Sequence, residues 1–265
     1  MAKVKGQLIT KKYAIYNDDC VEVLKDIDSN VVGFSIFSPP FFDLYAYSDS
    51  DEDFGNCKSY EEFFVQFGFL LEQLQRVMMP GRVVAVHCID LPTFKSKVGF
   101  MAVTDFPGDI IRLFQKYDFL YHCPRITIWK DPLVAATRTK ALGLAHKQIV
   151  KDSSWCRAGF PDFVLAFRKK GDNPKLISHP KGLLEYAGTR PVPRHLQRFA
   201  GWEDPKTNKR SHWIWQQYAS PVWDDIDQTH VLPFRKGRDS DDQRHICPPT
   251  TTNYRKMPNA LVCSR

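Results

Sequence analysis

At 265 residues, with 43% hydrophobic and 25% charged content, the chain can form one large domain or a core with a smaller module appended. It contains no run of roughly 18 apolar residues, which excludes a helical membrane span. Its net charge of +7 is uneven: residues 1–156 carry 18 Lys/Arg against 19 Asp/Glu, whereas residues 157–265 carry 19 against 11. A basic second half suits a polyanionic partner, nucleic acid first, and equally a solvated basic surface.

The lysine-bearing start has no apolar segment behind it and does not read as a secretory leader. Seven cysteines, an odd number with no CxxC pair, argue for reduced thiols in the cytoplasm rather than disulfides or zinc. Residues 13–16 read as a short strand, and 20–27 (CVEVLKDI) as a short helix with apolar residues at helical spacing. Residues 31–37 (VVGFSIF) are almost continuously apolar, as in a strand buried on both faces. A long helix is expected from Ser59, where Ser59 and Glu62 form a capping-box pair, to the terminator Pro80-Gly81. Strands are expected at 82–88, 125–129 and 162–168, with a helix at 109–116. This alternation predicts a mostly parallel α/β sheet.

From 169 to about 244 the periodicity fades into a stretch rich in Pro, Arg, Lys and Trp, expected to be a separate, irregular basic module. His87 and His122 lie in or beside apolar strands and read as satisfied core residues. No His/Cys cluster has ligand spacing, so no metal is expected.

The most informative stretch follows the strand at 31–37. Ser38-Pro39-Pro40-Phe41 cannot continue a sheet ladder, because proline has no N–H to donate. A stiff loop is therefore expected at the strand's carboxyl end, where open α/β sheets bind ligands. The same four residues also read as a plain rigid turn.

The segment YNDDCVEVLKDIDSNVVGFSIFSPPF resembles the start of amino-DNA methyltransferases, which methylate N4 of cytosine or N6 of adenine. The long capped helix ending in Pro-Gly, the strand RVVAVHC, the segment HKQIVKDSSWCRAGFPDFVLAFRKKG and the basic region follow in that family's order. The resemblance covers about residues 13–248 and implies an incomplete Rossmann-like methyltransferase sheet with a small basic module. It divides the chain into a catalytic half (1–168), a target-recognition module (169–244) and the start of a cofactor half (245–265).

The same resemblance implies S-adenosylmethionine as methyl donor and double-stranded DNA as substrate. The Ser38 hydroxyl and the Pro39 carbonyl would accept the hydrogens of the target amine. Pro40 would stiffen the loop, and Phe41 would stack on a flipped base. Asp19 matches an aspartate near the cofactor's adenine and could equally cap the helix behind it. Arg190, Arg194, Arg198, Lys206, Lys209 and Arg210 would contact DNA, among Trp202, Trp213 and Trp215, which read as the module's own core. Serine at the head of the loop leans towards cytosine.

One element of the family pattern, a Pro-Phe-x-Gly-x-Gly turn for the cofactor, is not found; residues 249–265 are polar and aperiodic. The chain is therefore expected to be truncated, frameshifted or one half of a split enzyme that depends on a complementing polypeptide. The alternative is a DNA-binding remnant without transfer activity.

Overall fold

The computed structural model describes residues 6–44, 53–93, 95, 99–134, 146–155, 158–178 and 209–227. Strands β1 (Gly6–Ile9) and β2 (Ala14–Asn17) form an exposed antiparallel hairpin. Helix α1 (Cys20–Lys25) leads to β3 (Val32–Phe37). Helix α2 (Tyr60–Val77) starts where the capping pair places it. Ser59 Oγ accepts from the Glu62 N–H at 3.1 Å, and the Glu62 carboxylate accepts from the Lys58 N–H at 2.7 Å. Its buried face, Phe63, Phe67, Leu71 and Leu74, has the spacing of a single helical stripe.

Pro80-Gly81 was expected to separate this helix from the next strand. Instead α2 ends at Val77 and β4 (Met78–Ile89) begins at once, with Pro80 and Gly81 inside it. The β3–β4 register shifts there, from Val32 opposite Met78 to Phe34 opposite Val83. Gly81 has φ +70°, and a Cβ at that position would lie 2.8 Å from the Asn173 backbone nitrogen. The dipeptide therefore makes a bulge rather than a break.

The short strands β5 (Leu91–Pro92) and β6 (Val103–Thr104) pair with each other. Helix α3 (Phe106–Lys116) begins three residues before the expected start. Asp105 caps it by accepting from Gly108 N–H, and Pro107 sits in the first turn, where a missing N–H does no harm. Strands β7 (Phe119–Tyr121) and β8 (Ile126–Ile128) both pair with β9 (Asp162–Lys169), after the short helix α4 (His146–Lys151). Helix α5 (Lys209–Ala219) and β10 (Val222–Trp223) close the described chain.

The main sheet has the order β10-β8-β9-β4-β3, with β7 also on β9. β3 runs parallel to β4 and β10 parallel to β8, while β9 is antiparallel to β4, β7 and β8. Five strands thus share one direction and β9 alone opposes them, so the α/β class is as expected and the sheet is mixed. Val222 and Trp223 fall within the stretch read as a separate module, yet they belong to this sheet, and Trp223 is fully buried.

Alternation along the strands divides the core in two. Val84, Val86, Cys88, Leu165 and Phe167 face α2 and α3. Val83, Ala85, Val164, Ala166, Ile126 and Ile128 face the other way, against Trp223 and Tyr218. All six β3 residues are only half-buried, and among the described residues no strand pairs with its far edge.

Candidate active site

Ser38 continues β3 on the second face, the face of Phe34 and Ile36. Phe37 pairs with Val86, so Ser38 comes level with His87 on β4. His87 pairs with Val164 and Ile89 with Asp162, which brings Asp162 to the same end and face. Ile128 of β8 also pairs with Asp162, and Lys130 follows two residues later on that face. A two-residue period and the strand order therefore line up Ser38, His87, Asp162 and Lys130 across four strands. They lie at the edge where the parallel strands end.

The row is joined by polar contacts. His87 Nδ1 lies 3.2 Å from Ser38 Oγ, and His87 Nε2 lies 2.9 Å from Asp162 Oδ2. Lys130 Nζ lies 2.6 Å from Asp162 Oδ1. The His87 and Asp162 side chains are 8% and 5% exposed, so water screens little of this. Burial pushes the Asp162 carboxyl up, but His87 and Lys130 outweigh it and hold the group below the usual carboxylate range. His87 is a satisfied buried histidine, as read. Its contact with Ser38 and the Asp162 carboxylate behind it were not read from the sequence, although strand parity carried a partial signal for both.

On the other side of Ser38 opens a cleft of about 540 Å³, lined by Ser38, Pro39 and Pro40, by Asp18 and Asp19, and by Asp53. Its walls are Phe37, Phe54, Leu70 and Leu74. The cleft thus brings the loop and Asp19 together. Asp19 also caps α1, its Oδ1 accepting from Val21 N–H at 2.8 Å and Glu22 N–H at 3.0 Å. The capping reading of Asp19 is thus observed directly. The lining has three carboxylates and no Lys or Arg among the described residues.

Phe41 does not offer the open stacking face expected of it. The ring is 9% exposed, in the core cluster beneath α2 and α3, edge-on to Phe106 at 6.4 Å and tilted to His87 at 6.3 Å. The reason is burial: an apolar ring gains more from packing in this core than from standing in the open. Phe42 adopts φ +49°, a left-handed conformation that costs a bulky residue about 1–2 kcal/mol. It is held there by edge contacts with Tyr60 and Phe63.

Of the residues implied to contact DNA, Arg190, Arg194, Arg198 and Lys206 lie outside the described residues. Lys209 and Arg210 open α5. Trp213 is half-buried and Trp215 is 47% exposed. Among the described residues no group of His, Cys, Asp or Glu is arranged to hold a metal, and no helix is long and apolar enough to cross a membrane.

No known family profile matches the chain, and no curated protein does. Among solved structures, a Thermus thermophilus protein provisionally described as a DNA modification methylase, complexed with S-adenosyl-L-methionine, shares 19% identity at a TM-score of 0.47. That overlap covers 78% of this chain and 64% of that one. The cytosine-N4-specific PvuII DNA methyltransferase shares 15% identity at 0.39, over 58% and 48% of the two chains. A methyltransferase from Archaeoglobus fulgidus described as SAM-dependent shares 12% identity at 0.32, over 58% and 66%. The first two overlaps span less than two thirds of the known chain. At these identities and scores, none defines a family for this one.

Proposed function

We propose that this chain carries the amine-binding site of an S-adenosylmethionine-dependent DNA methyltransferase. Its target would be an exocyclic amine, N4 of cytosine or N6 of adenine, with cytosine favoured by the serine at the head of the loop. The observation that carries the reading is that Ser38-Pro39-Pro40 and Asp19 line one cleft. Pro39 and Pro40 have no N–H, so this loop offers oxygen acceptors and lacks the donor pair that an acyl-transfer site needs behind a serine nucleophile. A substrate whose reacting group bears N–H bonds fits that pattern; a carbonyl does not.

The amine nitrogen of a nucleobase is a poor nucleophile, because its lone pair is spread into the ring. Acceptors at its hydrogens favour a pyramidal nitrogen and return the lone pair to it. A rigid Pro-Pro backbone holds the Pro39 carbonyl in place before the reaction, so little reorganisation is needed. The acidic cleft suits a ligand that is cationic and rich in donors. Asp18 and Asp53 would hold the ammonium and hydroxyl groups of S-adenosylmethionine, with Asp19 near its adenine, between the walls of Phe37 and Leu70. When bound, that cofactor supplies the methyl group on a sulfonium. The same carboxylates repel phosphate, so the DNA backbone would lie elsewhere, on the basic second half that includes Lys209, Arg210 and residues 190–206.

The experiment is incubation of the full chain with duplex DNA and methyl-tritiated S-adenosylmethionine, followed by chromatography of the nucleosides. Label in N4-methylcytosine or N6-methyladenine supports the reading and selects the base. Label in neither, with a complementing glycine-motif polypeptide also supplied, overturns it and leaves the DNA-binding alternative.

A further inference from the structure

We propose that His87 is a positioning residue that turns Ser38 into a pure acceptor towards the cleft and then takes up its proton. This rests on the amine-methylation reading and extends it to the fate of the proton that reading must dispose of.

The direction of each hydrogen bond follows from the far end of the row. Asp162 as a carboxylate can only accept, so in the proposed arrangement a single ring hydrogen of His87 sits on Nε2, 2.9 Å from Asp162 Oδ2. Nδ1 is then a lone pair, and the Ser38 hydroxyl, 3.2 Å away, donates to it. The oxygen of Ser38 keeps its own lone pairs for the cleft. In the other tautomer Nδ1–H would donate to Ser38, and the serine hydrogen would point at a substrate that itself brings hydrogens. Lys130, 2.6 Å from Asp162 Oδ1, keeps the carboxylate charged in a buried place.

The atoms balance as follows. With the cofactor bound, the amine lone pair would form the N–C bond to the methyl carbon as the C–S bond broke, its electrons staying on sulfur. The nitrogen, now cationic, gives a proton to Ser38 Oγ as Ser38 gives its own to His87 Nδ1. The imidazolium so formed is paired with Asp162, and it later loses the proton to solvent. The groups facing His87 from its neighbours are the Ser38 hydroxyl, Asp162 and Lys130. Cys88 and Asp90 lie on or beyond its own strand, and Asp105 and Arg125 lie around Cys88.

The test uses the full chain and two readouts. Long-range proton–nitrogen NMR of ¹⁵N-labelled protein, with His87 assigned by its loss in His87→Gln, reads the tautomer without any cofactor or turnover. A protonated Nε2 and bare Nδ1 are expected, and a protonated Nδ1 overturns the proposal whether or not any variant folds. Methyl transfer is then followed against pH. His87→Gln keeps an acceptor for Ser38 but cannot store a proton, so a loss of about 10²-fold is expected, with the acid limb of the profile flattened. A parent that transfers methyl alongside a His87→Gln variant of equal rate and profile overturns the relay and leaves the functional reading intact. A parent that transfers no methyl, with the complementing polypeptide also supplied, overturns the functional reading, and the proton step with it.

Discussion

His87 on β4 and Asp162 on β9 meet at 2.9 Å, 75 positions apart in the chain, in a place that water barely reaches. Between a charged lysine and a polarised serine, this contact organises the end of the sheet. Removing one partner of such a pair leaves the other buried without compensation. Asp162→Ala is therefore expected to cost about 3–5 kcal/mol in denaturant unfolding. Asp162→Asn, which keeps the shape and one acceptor, should cost less.

The depressed Asp162 value also sets a pH dependence. A carboxyl that is more acidic when folded adds stability above its unfolded value, about 3.9, and that contribution is lost as pH falls through the lower folded value. Stability should therefore drop on acidification below about pH 4, and part of the drop should vanish in Asp162→Asn. Unfolding midpoints measured across that range would show it; parallel curves for parent and variant would count against it.

Asp19 does two things that a single substitution separates. Asparagine caps a helix about as well as aspartate, so Asp19→Asn should leave stability within about 0.5 kcal/mol. The same change removes a charge from the cleft, and S-adenosylmethionine affinity measured by calorimetry should fall several-fold. Asp19→Ala should lower both affinity and stability, the latter by about 1 kcal/mol. An Asn variant with parental affinity would leave Asp19 a cap alone.

Ser38→Ala with Pro39→Ala removes the hydroxyl acceptor and the stiffness that aims the Pro39 carbonyl. Methyl transfer is expected to fall by at least about 10²-fold, at a stability cost of only about 1–2 kcal/mol, since Ser38 is half-buried. Transfer at the parental rate would show that the amine is held elsewhere.

Phe41 belongs to the core beneath α2 and α3, so Phe41→Ala should cost about 3–5 kcal/mol. Phe41→Leu, which refills most of the space, should restore most of that and keep activity. Activity lost in the leucine variant at near-parental stability would point instead to a ring that turns out to meet the base.

Much of this architecture was legible locally. Ser59 and Glu62 marked the start of α2 because a helix's first N–H groups need acceptors within three residues, and the stripe from Phe63 to Leu74 marked its buried face. Two prolines after an apolar strand marked a stiff, acceptor-bearing loop, since proline chemistry needs no tertiary context. What the sequence could not decide was which strands are neighbours. Strand parity alone puts Ser38, His87, Asp162 and Lys130 each on one face or the other. Only the order β8-β9-β4-β3 makes those faces coincide and brings a carboxylate to the back of a histidine. The fate of Phe41 was likewise tertiary: its ring packs edge-on to Phe106 in the core beneath α2 and α3, a partner 65 positions away that the sequence could not name. Hydrogen-bond needs and side-chain periodicity act over a few residues and can be read in the chain. Register and strand order are set by packing between distant segments, and only the folded molecule contains them.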